Sequence, residues 1–222
     1  RNSTIATVRG KSDAVIFEVS AHYAAANLAP PPAPGSPPGP GSTLPGTLPD
    51  ARSLFIGMHY SISALPEVPM APRRADPRVG YFNTYVDDFG DDLDRVPRKL
   101  FVNRWRLEKK DPAAALSEPV KPITFWLDRT IPLKYRDAIT RGVLGWNAAF
   151  EKIGFKDAVV VKVQPEDADF DTLDVGVASI RWMTNARPSF GAIGPSHVDP
   201  RSGEILDADI GIESLSSRNR RA

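Results

Sequence analysis

The sequence predicts an α+β protein, in which a β-rich, antiparallel region precedes a mainly parallel sheet with an antiparallel edge strand and one long helix. Two observations carry this prediction. Short apolar runs recur along the first half without a helical period. In the second half, an apolar run is followed by a helical pattern and then by β-branched runs, the order of a βαβ unit. Asp111-Pro112 interrupts the pattern, so we expect the parts to be residues 1–111 and 112–222.

In the first part, strands are predicted at residues 14–22 and 53–61, and two more within residues 78–108. A proline-rich segment, residues 29–49, separates the first two strands. It has too few apolar residues for a core and too many prolines for regular hydrogen bonding, which predicts an exposed polyproline-like loop. The segment is either a solvated insertion or a ligand for a partner domain.

The second part opens with a predicted strand at residues 123–128 and a helix over residues 132–153. Pro132 suits the first helical turn, and Gly154 suits the C-terminal cap. Gly142 and Gly145 lower the helical propensity, so another backbone is expected to pack closely there. The helix is expected to bury apolar side chains against the sheet, namely Ile139, Val143, Trp146 and Phe150 against Phe125, Val160 and Ile180.

Further strands are predicted at residues 158–163, 179–184, 191–196 and 204–212. The β-branched run at 158–163 is typical of a strand covered on both faces. The run at 191–196 is short and interrupted by glycine and proline, which favours an edge position. A βαβ order also predicts a right-handed crossover.

Composition excludes several classes of function. The 222 residues carry 28 Lys and Arg against 27 Asp and Glu, so no global field favours nucleic acid, and nucleic-acid binding is not expected. No apolar run is long enough to span a bilayer, and no signal-peptide pattern follows Arg1. The absence of cysteine excludes disulfides, thiolate metal sites and cysteine nucleophiles. Phosphate-binding loops and the G-x-S-x-G elbow are also missing.

Metal-binding patterns are weak. An acidic stretch fails the EF-hand pattern, because Thr172 and Ala178 stand where glycine and glutamate are required. A looser calcium site stays open as an alternative to solvated acidic turns. His22, His59 and His197 lie on three separate segments, so no metal site is predicted from them. The acidic residues concerned are Asp167, Asp169, Asp171 and Asp174 in one stretch, and Asp87, Asp88, Asp91, Asp92 and Asp94 in another.

Long blocks of the sequence carry a family resemblance. Residues 102–132, 141–162 and 180–213, with the earlier run MHYSISALP, resemble large exported bacterial zinc metalloproteases of the metzincin type that carry an uncharacterised N-terminal domain. The resemblance covers about residues 78–213 and omits the proline-rich segment. It implies a secreted metalloendopeptidase with a peptide or protein substrate.

In such proteases an H-E-x-x-H helix supplies two zinc-binding histidines and a general base. The 222 residues contain no H-E-x-x-H. No residue is therefore carried over as catalytic or as a zinc ligand. The resemblance implies that zinc belongs to the full-length protein, with none expected in this chain. It also implies that the chain is inactive alone, its partner being the downstream part of the same catalytic domain.

The resemblance assigns a role to the antiparallel edge strand, which in this fold pairs with an extended peptide. Small residues let another backbone approach, and an edge strand offers unpaired N–H and C=O groups. The alternative is a plain edge whose glycine and proline limit aggregation. On the functional level, the alternative is a stand-alone binding or structural module without catalysis. The candidate substrate-binding residues are Gly191, Ala192, Ile193, Gly194 and Pro195.

Overall fold

The computed structural model describes residues 2–24, 50, 52–185 and 190–215. The chain divides into two compact units, Arg1–Ala64 and Leu65–Ala222. The proline-rich segment at residues 29–49 lies outside the described residues. Among the described helices, none combines the length and the apolar character needed to cross a membrane.

The first unit contains a three-stranded antiparallel sheet in the order β1-β2-β3. Strand β1 spans Thr4–Gly10, β2 spans Ala14–Ala24 and β3 spans Ser53–Ser63. Strands β2 and β3 pair along their whole length. The strands predicted at residues 14–22 and 53–61 are therefore confirmed.

A separate antiparallel hairpin opens the second unit, formed by β4 (Asn83–Asp87) and β5 (Arg98–Val102). Both strands lie within the predicted β-rich region. The acidic stretch between them makes turns, because Asp88, Asp91 and Asp94 each accept a hydrogen bond from a backbone N–H two residues further on.

The main sheet of the second unit has six strands: β6 (Ile123–Leu127), β7 (Val159–Val163), β8 (Ser179–Met183), β9 (Ala192–Ile193), β10 (Ser196–Asp199) and β11 (Glu204–Glu213). Their order is β10-β11-β8-β6-β7, and β9 also pairs with β11. Strands β11, β8, β6 and β7 are parallel neighbours, whereas β9 and β10 are antiparallel to β11. A mixed sheet with an antiparallel edge within an α+β arrangement is thus confirmed.

The predicted single helix is divided into α1 (Leu133–Leu144) and α2 (Asn147–Glu151). At the break, the N–H of Trp146 donates to the carbonyl of Val143 at 3.2 Å, a tighter turn than the α-helical one. The prediction of one continuous helix over residues 132–153 is therefore wrong. So is the expected approach of another backbone, because a Cβ added at Gly142 would meet nothing within 4 Å.

The predicted cap at Gly154 is confirmed. Gly154 has a φ of +89°, the left-handed conformation that favours glycine. The N–H of Phe155 donates to the carbonyl of Phe150, and that of Gly154 donates to Glu151, which together form a Schellman motif. A Cβ at this position would also lie 2.8 Å from the carbonyl oxygen of Ala115.

The core lies between α1 and the sheet. Leu127, Ile131 and Ile180 are fully buried there, and Ile139 and Val143 of α1 pack against them as predicted. Phe125, also predicted to take part, packs against the same cluster.

Three residues predicted for this core, Trp146, Phe150 and Val160, do not belong to it. Trp146 is 65 % exposed, and with Phe150 it lines an apolar groove beside Phe125 and Val143 instead of packing in the buried cluster. Val160 pairs with Thr124 in register, so strand alternation points it to the opposite face from Phe125. Its neighbour Val161 packs against the core instead.

Candidate functional site

The six-stranded sheet has one apolar face and one polar face. Alternation along β8 and β11 turns Ile180 and Ile210 towards α1. It turns the residues between them to the other side, which we call the polar face. Its members on these two strands include Ser179, Arg181, Asp207 and Asp209.

One end of the polar face is a network around Asp128, which directly follows β6 and is buried. Its carboxylate accepts hydrogen bonds from the N–H of Thr130 at 2.8 Å and the hydroxyl of Thr172 at 2.5 Å. The Arg181 guanidinium lies 3.8 Å away and donates to the Thr172 hydroxyl at 2.6 Å. Burial raises the pKa of Asp128, but the hydroxyls of Thr130 and Thr172 and the charge of Arg181 hold that pKa below its ordinary value.

The other end contains His197 of β10 with Asp207 and Asp209 of β11. His197 stands directly opposite Asp207 in the antiparallel register, and Asp209 follows two residues later on the same face. The Nδ1 of His197 lies 2.5 Å from Oδ1 of Asp207. One ring nitrogen and one oxygen from each carboxylate all lie within 4.8 Å of one another.

Burial differs sharply within this trio. The His197 side chain is 70 % exposed, whereas Asp207 is 1 % exposed. The N–H of Gly176 donates to Oδ2 of Asp207 at 2.6 Å, and the Ser179 hydroxyl donates to Asp209 at 2.5 Å. Burial raises the pKa of Asp209, and the nearby charge of Asp207 raises it further. The arrangement can hold a proton between His197 and Asp207, or a cation among all three side chains.

The predicted edge segment lies beside this trio. Strand β9 pairs with β11 through Ile193 opposite Gly211 and Ala192 opposite Ile212. The N–H of Asp209 donates to the carbonyl of Pro195 at 3.0 Å, and that of Glu213 donates to the carbonyl of Gly191 at 2.9 Å. The predicted segment therefore occupies the outer side of β11.

Of the three residues between these bonds, Ala192 and Gly194 direct their backbone groups away from β11, whereas Ile193 lies opposite Gly211. Because backbone groups alternate along an antiparallel strand, the N–H and C=O of Ala192 and Gly194 point away from β11. Both residues of β9 are exposed. The substrate-binding role predicted for residues 191–195 remains a prediction.

The three histidines of the sequence, His22, His59 and His197, do not form a common metal-binding group. His22 and His59 lie on β2 and β3 of the first unit, where His22 contacts the Ser53 hydroxyl at 2.9 Å and stacks on Phe55. His197 lies in the second unit. Sequence reasoning missed its partners, although the Asp-Ala-Asp alternation in a predicted strand places two carboxylates on one face.

The two acidic stretches do not bring three carboxylates together. Across the described part of the chain, the trio of His197, Asp207 and Asp209 is the only group with metal-ligand spacing. Asp87 and Asp94 instead pair with Arg98 and Lys99, and Asp171 pairs with Arg181. These carboxylates serve ion pairs and turns.

Comparison with known proteins adds one match. Residues 2–110 match the family described as "Domain of unknown function (DUF5117)". Neither the curated proteins nor the solved structures contain a match to the chain. The matched range ends next to the predicted boundary at residue 111, whereas the compact units meet at Ala64 and Leu65. The division into residues 1–111 and 112–222 remains a prediction.

Proposed function

We propose that the chain supplies the substrate-facing sheet of a secreted zinc metalloendopeptidase, and that β9 pairs with the extended peptide substrate. The observation that carries this proposal is the position of β9 on the outer side of β11, with the backbone groups of Ala192 and Gly194 directed away from the sheet. A peptide that adds a strand gains main-chain hydrogen bonds from such groups. The family resemblance of residues 180–213 supports the same assignment.

The catalytic zinc site and the general base of the proposed peptidase come from outside these residues, because the 222 residues contain no H-E-x-x-H. The contribution of this chain is therefore to bind and orient the peptide backbone. Positioning contributes to catalysis because a correctly placed scissile bond needs less ordering in the transition state.

The same strand also suits a stand-alone module that binds extended peptides without cleaving them. The missing H-E-x-x-H favours this second function for the chain by itself. The two functions share the binding step and differ only in cleavage.

The binding step is tested with Ala192→Pro in the full chain. Proline removes the outward N–H of Ala192, while the bonds made through Gly191 and Pro195 are unaffected. Immobilised extended peptides should lose at least about tenfold in affinity, as expected when a binding hydrogen bond is removed and its partner is left unpaired. Circular dichroism and the Tm should stay unchanged.

Val163→Pro is the matched control. Val163 lies at the end of β7, the opposite edge of the sheet, and its N–H points away from β6 because the N–H of the next residue donates to Leu127. Peptide affinity should not change in this variant. An equal loss in both variants, or no loss in Ala192→Pro, contradicts the proposed role of β9.

Cleavage separates the two functions. The full chain is combined with the polypeptide encoded after residue 222, and peptide hydrolysis is followed with and without a chelator. Zinc-dependent hydrolysis that Ala192→Pro weakens supports the peptidase. Peptide binding without any hydrolysis favours the stand-alone module.

A further inference from the structure

We propose that His197, Asp207 and Asp209 bind one divalent transition-metal cation, with zinc as the best fit, and that this cation fastens β10 to β11. The site is separate from the zinc of the proposed peptidase, which needs the H-E-x-x-H helix. This cation site is independent of the proposed function, because only its own three side chains and their neighbours support it.

The geometry lies close to that of a three-ligand zinc site. Zinc holds nitrogen and oxygen ligands at about 2.0–2.2 Å, so two ligands at the tetrahedral angle stand about 3.3–3.5 Å apart. The three ligand atoms already lie within 4.8 Å of one another. The contact between His197 Nδ1 and Asp207 Oδ1, now 2.5 Å, must lengthen by about 1 Å for both atoms to bind one cation. The exposed His197 side leaves the fourth position open to water.

The carboxylates are held for this task by neighbours that do not compete for the cation. Gly176 donates its N–H to Oδ2 of Asp207, which leaves Oδ1 directed at His197. The Ser179 hydroxyl donates to Asp209 from the adjacent strand. Such outer hydrogen bonds orient metal ligands and strengthen binding.

Charge and donor type select the cation. Two carboxylates two residues apart on one strand, one of them fully buried, repel each other unless a positive charge lies between them. The Arg181 guanidinium on the same face is engaged with Asp171 and Thr172. An imidazole with two carboxylates suits zinc and similar metals, whereas calcium prefers six to eight oxygen ligands.

The test measures metal content and affinity in the tag-free full chain. After dialysis against zinc and gel filtration, elemental analysis should give one equivalent of zinc. Titration calorimetry should show at least about a tenfold loss of affinity in His197→Gln and in Asp209→Asn, since each removes a direct ligand. Cobalt should give the visible absorption of a tetrahedral site. His22→Gln, the same change on another strand, should bind like the unaltered chain.

Because the His197 side chain is exposed, we expect His197→Gln to fold like the unaltered chain, and circular dichroism checks this. Zinc should raise the Tm of the unaltered chain and of His22→Gln, but not of His197→Gln. The proposal is overturned if the unaltered chain retains no zinc. It is also overturned if the chain binds calcium more tightly than zinc, or if His197→Gln binds zinc as well as the unaltered chain does.

Discussion

Leu127 and Asp128 are neighbours in the sequence, yet they stabilise opposite faces of the same sheet in different ways. Both are buried, since Leu127 is 0 % exposed and Asp128 is 5 % exposed. Leu127 packs against Ile131 and Ile180 under α1 and contributes by leaving water. The buried charge of Asp128 is tolerated only because Thr130 and Thr172 donate hydrogen bonds to its carboxylate and Arg181 lies nearby.

This difference indicates where function can reside. On the apolar face, Leu127, Ile131 and Ile180 are fully buried under α1, so these residues are committed to stability. The polar face holds charged side chains in fixed positions, because Asp128, Asp207 and Asp209 each accept hydrogen bonds that offset the cost of burying them. The trio of His197, Asp207 and Asp209 and the edge strand β9 both lie at the β11 side of that sheet.

The largest expected effect is on the apolar face. Leu127→Ala should lower the free energy of unfolding by about 2–5 kcal/mol, because it removes a fully buried side chain and leaves a cavity. Urea unfolding followed by far-UV circular dichroism measures the change. Leu144→Ala, at an exposed position on α1, is the control and should cost much less. A loss below about 1 kcal/mol for Leu127→Ala means that the core is not packed as described.

On the polar face, Asp128→Asn should cost about 1–3 kcal/mol at pH 7, because its amide group faces donors that need an acceptor. The pKa of Asp128 is lowered in the folded chain. Its stabilising contribution is therefore present above the unfolded pKa, about 3.8, and is lost as the pH falls through the lower folded pKa.

The pH dependence distinguishes this carboxylate from a simple packing residue. Urea unfolding at pH 7 and at pH 3 should show the difference between Asp128→Asn and the unaltered chain shrinking at the lower pH. The effect of Leu127→Ala should stay the same in both conditions. A difference for Asp128→Asn that does not change with pH would falsify the role assigned to the ionised carboxylate.

A smaller effect concerns coupling within the polar face. Thr172→Val and Asp128→Asn remove two ends of one hydrogen bond, so their costs should be non-additive by about 0.5–2 kcal/mol. Leu127→Ala and Thr172→Val lie on opposite faces and serve as the control cycle, with near-additive costs. Urea unfolding of the single and double variants gives both coupling energies. Equal coupling in the two cycles contradicts the separation of the faces.

Sequence reasoning located the elements well and their faces less well. Apolar and β-branched runs predicted the strands, and Pro132 and Gly154 marked the two ends of the helical region. The run at residues 158–163 is apolar except for Lys162, and that single residue was its only sign that Val160 shares the face turned away from the helix. The pairing register with β6 decides this, and register is a tertiary property.

The candidate metal site was hidden for a related reason. His197 and Asp207 are separated by the turn at residues 199–203, and a register shift after His197 brings them opposite each other. Such irregularities depend on the geometry of the hairpin and leave no clear pattern in the sequence. The edge position of residues 191–195, by contrast, followed from their glycine and proline content together with the family resemblance.

The smallest expected effect is at Trp146, where the sequence predicts a core residue and the structure places it 65 % exposed. Trp146→Ala should lower the free energy of unfolding by about 0.5–1 kcal/mol, instead of the 3–5 kcal/mol typical of a buried aromatic residue. Trp182→Ala is the matched control, because Trp182 packs against the core and stacks on Tyr135 at 4.9 Å. Its cost should be clearly larger, and urea unfolding measures both. If Trp146→Ala costs as much as Trp182→Ala, then the groove that Trp146 lines with Phe125 and Val143 is closed in solution, and Trp146 is a core residue there.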